Sequence, residues 1–263
     1  MRIATWNVNS VRQRMDALLA WLEERQPDVA CLQEIKCEDH VFPREPLERL
    51  GYNVAVHGQK TFHGVALLSK HPFDEITPRL GGDPEDTQAR FLEACISVKN
   101  GVMRVVSLYL PNGNPPASDK YDYKMKWMDR LLAFSLDRLR LEEPFVLCGD
   151  FNVIPTAADA RRPQAWVNDA LFLPRTREKL RALADIGLTD AIRAVSDDTG
   201  LYTFWDYTAG AFQKDDGIRI DHILLSPHAA DRLSAAGIDK HVRGWEEPSD
   251  HVPVYVDLDI EPR

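Results

Sequence analysis

Cysteine is scarce and unpatterned. The four present, Cys31, Cys37, Cys95 and Cys148, form no CxxC pair, and three of them (Cys31, Cys95, Cys148) lie in apolar runs that read as strands. This argues against a zinc cluster or a disulfide framework and points to reduced core side chains. Long apolar runs are missing as well: nowhere do 18 apolar residues follow one another, so no membrane-spanning helix is expected. The opening Met-Arg-Ile-Ala-Thr-Trp-Asn lacks the basic-then-apolar layout of a signal peptide, and a soluble, cytoplasmic protein is expected. Positive charge is not in excess either. A net charge of -9 argues against non-specific coating of nucleic acid, which rests on clustered Lys and Arg. It leaves room for a local DNA-facing surface and for carboxylates committed to a metal. There is no GxSxG, which argues against a serine hydrolase.

What the chain does contain is a set of apolar strands that end in polar residues. With 263 residues and 44% hydrophobic content it can bury roughly three quarters of its unfolded surface, and one domain spanning 1–263 is expected. The run Pro144-Phe-Val-Leu-Cys-Gly-Asp-Phe-Asn-Val-Ile-Pro155 carries a strand directly into Asp150 and Asn152. Strand alternation predicts both on one face with Phe151 opposed, a carboxylate and a carboxamide emerging together at a sheet edge. Taken alone, Gly, Asp, Asn and Pro also describe a tight turn. Similar endings recur. Arg2–Thr5 leads into Asn7 and Asn9, Asp28–Gln33 delivers Glu34, and Val102–Leu108 ends in Tyr109. A strand over Ile218–Ser226 carries Asp221, and Ser249-Asp250-His251 precedes a last strand over Val252–Leu258. Asp250 and His251 point apart on an extended backbone, so His251 needs another carboxylate, and Asp221 is the candidate.

Between these strands, apolar residues at helical spacing predict helices after Ser10, an expected N-cap, over 118–140, and from Pro174 to a Gly187 C-cap. Adjacent strands are expected at 52–57 and 64–70, a polar connection at 72–88, and a further strand at 90–98. Trp6-Asn7 echoes Asp150-Phe151-Asn152, and Val65–Ser69 echoes His222–Ser226. These echoes suggest two pseudo-repeated halves, about 1–140 and 141–260, each building one sheet. The sheets would pack face to face, with a cleft at their shared edge lined by Asn7, Glu34, Tyr109, Asp150, Asn152, Asp221, Asp250 and His251.

The full set of motifs resembles the exonuclease III family of apurinic/apyrimidinic endonucleases. The pieces are Trp6-Asn7-Val8-Asn9, Leu32-Gln33-Glu34-Ile35-Lys36, His57-Gly58-Gln59-Lys60, Gly64–Lys70, Tyr109–Gly113, Gly149–Asn152, Arg219-Ile220-Asp221 and Ser249-Asp250-His251, which span nearly the whole chain. The run from His57 to Lys70 is similar to the bacterial branch. The resemblance implies an α/β fold of the deoxyribonuclease I type: a four-layer αββα sandwich of two mainly antiparallel sheets with helices outside. It implies Mg²⁺ dependence, with Mn²⁺ as a substitute, and a double-stranded DNA partner carrying abasic sites or blocked 3′ ends, acted on by a monomer. The expected activities are cleavage 5′ to abasic sites, 3′-5′ exonuclease action and 3′-end cleaning. Alternatives are a phosphoinositide or phospholipid phosphoesterase of the same superfamily, or a catalytically dead DNA-binding module.

The resemblance also implies roles. Glu34, with Asn7 or Asn9, would hold the metal. Asp150 would act as general base, helped by Asn152. His251 would donate to phosphate with its tautomer fixed by Asp221, and Tyr109 would hydrogen-bond phosphate. Asp250 would be a second-metal or metal-orienting ligand, with Asp150, Asn152 and His251 also on the metal side. Phe204, Ile218 and Ile220 would form an apolar pocket for the baseless sugar, and Arg90 and Lys124 would touch the DNA backbone.

Overall fold

The computed structural model describes residues 1–263. Its strands are β1 (Arg2–Asn7), β2 (Val29–Gln33), β3 (Asn53–His57), β4 (Val65–Ser69), β5 (Glu75–Pro78), β6 (Phe91–Val98), β7 (Gly101–Tyr109), β8 (Phe145–Asp150), β9 (Thr189–Asp190), β10 (Asp221–Leu225), β11 (Leu233–Ile238) and β12 (Val254–Leu258). The helices are α1 (Met15–Arg25), α2 (Arg44–Arg49), α3 (Asp119–Leu139), α4 (Pro174–Asp185), α5 (Ala191–Val195) and α6 (Pro227–Ala230).

Two six-stranded sheets form, in the orders β11-β12-β1-β2-β4-β3 and β5-β6-β7-β8-β10-β9. Each has a single parallel pair at its centre, β1 with β2 and β7 with β8, and antiparallel pairs elsewhere. The alternation of each strand sorts its side chains into layers. Ile3, Cys31, Val105, Val146, Cys148, Ile223, Val254 and Val256 meet in the core between the sheets. Ala4, Trp6, Ala30 and Leu32 face outward against Leu18, Trp21 and Leu22 of α1. On the far side Val106, Leu108, Phe145 and Leu147 face Met125, Met128 and Leu131 of α3 and Leu183 of α4. The layers are therefore helix, sheet, sheet, helix, as the resemblance implied.

The chain does not assign one sheet to each half. The first sheet recruits β11 and β12 from the C-terminal half, and the second recruits β5, β6 and β7 from the N-terminal half. The echo between Trp6-Asn7 and Asp150–Asn152 does mark equivalent strands, since β1 and β8 hold matching places beside their parallel partners. The echo between Val65–Ser69 and His222–Ser226 does not: β10 lies next to β8 as β12 lies next to β1, whereas β4 lies next to β2. Helix α1 begins at Met15 instead of after Ser10, because Asn9 and Ser10 adopt left-handed backbone (φ 44° and 85°) and residues 11–14 form a turn. Ser10 N–H is bound to Glu34 C=O at 2.7 Å, which stitches this turn to the end of β2.

Candidate active site

Toward one end of the sandwich the inward-facing positions change from apolar to polar, strand by strand. The sequences of inward residues run Ile3, Thr5, Asn7 in β1, Val105, Ser107, Tyr109 in β7, and Val146, Cys148, Asp150 in β8. In antiparallel β10 the same order is read backwards, Leu225, Ile223, Asp221. The site is thus the polar rim of the core. Gly149 makes this possible at β8: its φ is 151°, and a Cβ there would stand 1.9 Å from Leu108 C=O of β7.

Asn7 Nδ2 donates to both Glu34 Oε1 (2.9 Å) and Asp150 Oδ2 (3.0 Å), so one buried amide ties the two carboxylates across the sheets. Glu34 turns back at the end of β2 through a left-handed backbone (φ 49°) and receives Lys36 Nζ at 2.9 Å. Burial opposes its charge, yet Lys36 and Asn7 hold its carboxyl below the usual range. Asp150 is pushed up to about 7, first by burial and then by neighbouring carboxylates, although its Oδ1 accepts the Asn152 N–H at 2.9 Å. His251 Nδ1 donates to Asp221 Oδ2 at 2.9 Å, and its Nε2 stands 3.8 Å from Asp150 Oδ2. Burial disfavours the imidazolium, but Asp221 and Asp150 outweigh burial and raise His251 well above its ordinary value. Tyr109 is raised well above its usual range by burial and the nearby Glu34 and Asp150, so its hydroxyl stays a neutral donor.

Glu34, Asp150 and His251 offer atoms that all lie within 4.8 Å of one another. The two carboxylates suit a hard divalent cation. The imidazole binds Asp221 through Nδ1, which leaves Nε2 as the atom it turns toward the two carboxylates. Asn152 turns away from this group. The strand stops at Asp150, Asn152 takes a left-handed backbone (φ 49°), and its amide is committed to Leu110 C=O (2.8 Å) and to Asn112 Nδ2 (3.2 Å). Asn9 Nδ2 lies against Asp250 Oδ1 at 3.1 Å, which places that pair beside Asn7.

The two expected backbone contacts are not surface cations. Lys124 is completely buried, with Nζ donating to Asn112 C=O (3.0 Å) and Asn152 C=O (2.7 Å). It enters beside Gly113, where a Cβ would lie 2.6 Å from its Cδ. Arg90 is 7% exposed; its guanidinium stacks on the Tyr109 ring at 4.9 Å and binds Tyr109 C=O and Gln88. Both bind backbone carbonyls next to Tyr109 and Asp150. The Phe204 ring meets His251 edge-on at 5.0 Å, and Phe204 and Ile218 line a cleft of about 330 Å³ together with Trp166, Ala165 and Ala211. Ile220 packs behind it with Ile154 and Leu171 and does not line it. Reasoning from sequence missed Trp166, which a long polar loop concealed. It also missed Ser249, whose Oγ donates to Asn7 C=O at 2.7 Å, and Lys36, present in a motif without a role.

Known proteins are similar to this chain along nearly its whole length. The sequence is 35% identical to exodeoxyribonuclease III of Haemophilus influenzae over 98% of this chain and 100% of that one. The structure matches an AP endonuclease from Archaeoglobus fulgidus (TM-score 0.93, 33% identity, covering 98% of this chain and 99% of that chain). It also matches the 3′ phosphatase NExo from Neisseria bound to product DNA hairpin (TM-score 0.94, 36% identity, covering 98% of this chain and 99% of that chain). The Endonuclease/Exonuclease/phosphatase family matches residues 4–251. With paired carboxylates, an Asp-supported histidine and similarity along its full length, the chain belongs to the Endonuclease/Exonuclease/phosphatase family of phosphodiester hydrolases, in its exonuclease III group.

Proposed function

We propose that the protein hydrolyses phosphodiesters of double-stranded DNA with a bound divalent cation, Mg²⁺ with Mn²⁺ as its substitute. It cuts on the 5′ side of abasic sites and trims blocked or free 3′ ends, as a cytoplasmic monomer. The observation that carries this reading is one buried cluster in which Asp150, held by Asn7 and the Asn152 N–H, stands 3.8 Å from the Nε2 of an imidazole that Asp221 orients from behind at 2.9 Å. Burial raises the Asp150 carboxyl to about 7 and the two aspartates raise His251, so a group able to accept a proton stands beside one able to donate.

Glu34 and Asn7 would hold the cation, which when bound neutralises charge on the phosphate and on the departing oxygen. The chain's own groups do the rest. Asp150 accepts a proton from the attacking water as the new P–O bond forms. The P–O3′ bond breaks and its electron pair leaves on O3′. His251 directs its Nε2 proton at a non-bridging phosphate oxygen, and Tyr109 donates its hydroxyl to the same group. Asn7 and the Asn152 N–H fix the two Asp150 oxygens so that little reorganisation is needed. The cleft of Phe204, Ile218 and Trp166 takes the sugar that lacks a base.

An end-labelled duplex with one central abasic-site analogue, beside an intact duplex, tests this. Cleavage 5′ to the lesion with Mg²⁺, abolished by EDTA and by Asp150→Asn, is expected. No cleavage of either duplex would sink the proposal.

A further inference from the structure

The catalytic residues come from two different sheets. Asn7 and Glu34 follow β1 and β2 of the first sheet, while Tyr109, Asp150 and Asp221 belong to β7, β8 and β10 of the second. Apolar packing between sheets is non-directional: it holds them together but tolerates small slides. Something must fix one sheet against the other to a fraction of an ångström, because misplacement by about 1 Å can cost roughly 10²-fold in rate.

One layer below the catalytic residues lies a polar seam. Thr5, Gln33 and Ser107 are each 0% exposed and occupy the inward positions between the apolar core and the site. Gln33 Nε2 donates to Thr5 Oγ1 (2.9 Å) within the first sheet and to Ser107 Oγ (3.1 Å) across to the second. Ser107 Oγ donates back across to Leu32 C=O at 3.1 Å. Thr5 and Ser107 stand two residues before Asn7 and Tyr109 on the same strand faces, and Gln33 directly precedes Glu34. A buried polar group contributes little net stability when satisfied, and a matched apolar replacement is often neutral. Stability does not account for three such groups set among apolar neighbours.

We infer that Thr5, Gln33 and Ser107 are positioning residues that lock the two sheets in the register which brings Asn7 and Glu34 to Tyr109 and Asp150. The inference rests on the hydrolase reading above. Its test is the triple variant Thr5→Val, Gln33→Met, Ser107→Ala, which makes the layer apolar and leaves no orphaned partner. Cleavage of the abasic duplex is expected to fall about 10- to 100-fold in kcat, with KM for the duplex within about twofold and the thermal midpoint unchanged or higher. Ser107→Thr, which keeps the hydroxyl, should retain kcat where Ser107→Ala loses it. Wild-type kcat in the triple variant would overturn the inference, as would a loss that tracks a lowered thermal midpoint. A wild-type protein that cuts no duplex would instead overturn the hydrolase reading.

Discussion

Asp221 and His222 are consecutive in β10, and each belongs to a buried network of charge. The two networks are built on opposite terms. On the His222 side, Asp159 Oδ1 receives both Arg219 Nε and Arg193 Nη2 at 2.7 Å, its Oδ2 receives Thr156, and Arg219 Nη1 binds Asp190 at 2.7 Å. His222 is kept neutral by burial and by Arg219, and its Nε2 meets Val153 C=O at 2.9 Å. Two carboxylates face two guanidiniums and every one of their charges has a partner. On the Asp221 side, Glu34, Asp150, Asp221 and Asp250 make direct ion pairs only through His251 and Lys36, with Lys124 and Arg243 acting at longer range, and Asp221 Oδ1 is buried without a partner. Burial and the carboxylates of Asp221 and Glu34 outweigh His251 and raise Asp150 to about 7, whereas the arginines overcome burial and bring Asp159 to about 2. A satisfied network holds the fold together; an unsatisfied one keeps reactive groups poised, and its deficit is the place for a cation and the proton of a reacting water.

Exchanging neutral residues into each network should separate the two roles most sharply. Asp150→Asn is expected to lower kcat on an abasic duplex by about 10³- to 10⁴-fold while leaving the thermal midpoint unchanged or higher, since it removes an uncompensated buried charge. Asp159→Asn should do the reverse. It strands two arginines and is expected to cost about 3 kcal/mol or more in denaturant unfolding, with kcat per folded molecule close to wild type. If Asp150→Asn destabilises and Asp159→Asn abolishes kcat, the division of labour is wrong.

The two carboxyls also give opposite pH signatures. Asp150 is raised from an unfolded value of about 3.9 to about 7, so between those values the folded state binds the extra proton. In metal-free protein, this group makes stability fall as pH rises from about 4 to 7. Asp159 is lowered to about 2, so the unfolded state binds the extra proton between about 2 and 4. Its contribution is present above about pH 4 and is lost as pH falls toward 2. Denaturation midpoints against pH should therefore lose their neutral-side decline in Asp150→Asn and their acid-side rise in Asp159→Asn. In the cation-loaded enzyme kcat/KM should climb with pH as Asp150 becomes able to accept a proton, with a midpoint at or below about 7 because the bound cation favours the carboxylate.

A smaller effect is expected at Asp221, which orients His251 without receiving the water's proton. Asp221→Asn should lower kcat by about 10²-fold, and it should also bring the His251 imidazole down toward its ordinary range, visible by NMR as titration at lower pH. An unchanged His251 titration would show that Asp150 alone keeps the ring charged.

How far the sequence disclosed these features followed from which physics was local. The site residues were legible because each stands at one end of a nearly continuous apolar run: Asn7, Glu34, Tyr109 and Asp150 follow one, and Asp221 opens one. The partnership of His251 with Asp221 followed from strand geometry, since Asp250 had to point away. The sheet membership did not follow, because β12 pairs with β1 across almost the whole chain and periodicity carries no information about such partners. Short edge strands escaped as well. In β5, Glu75–Pro78, the residues are mostly exposed, and β11 is Leu-Ser-Ala-Ala-Gly-Ile, with little β-branched content to mark it. The upward shift of His251 is set by carboxylates that only the fold brings near.

Lys124 shows the same limit and supplies the smallest of these effects. In sequence it is one of several cations on a helix that also carries acids, and a surface role against DNA is the natural reading. In the structure it is a buried cation with no carboxylate bonded to it. Burial drops it to about 7, and its ammonium joins the backbone after Tyr109 to the backbone after Asp150 through Asn112 and Asn152. A phosphate contact and an internal tie differ in their response to salt. Removing a phosphate contact weakens binding and reduces the slope of log K against log salt by about one. Lys124→Met should leave that slope and the affinity for intact duplex unchanged while lowering kcat by about tenfold, because the turn that fixes Asp150 through the Asn152 N–H is released. A reduced salt slope would return Lys124 to the DNA surface and make the tie incidental.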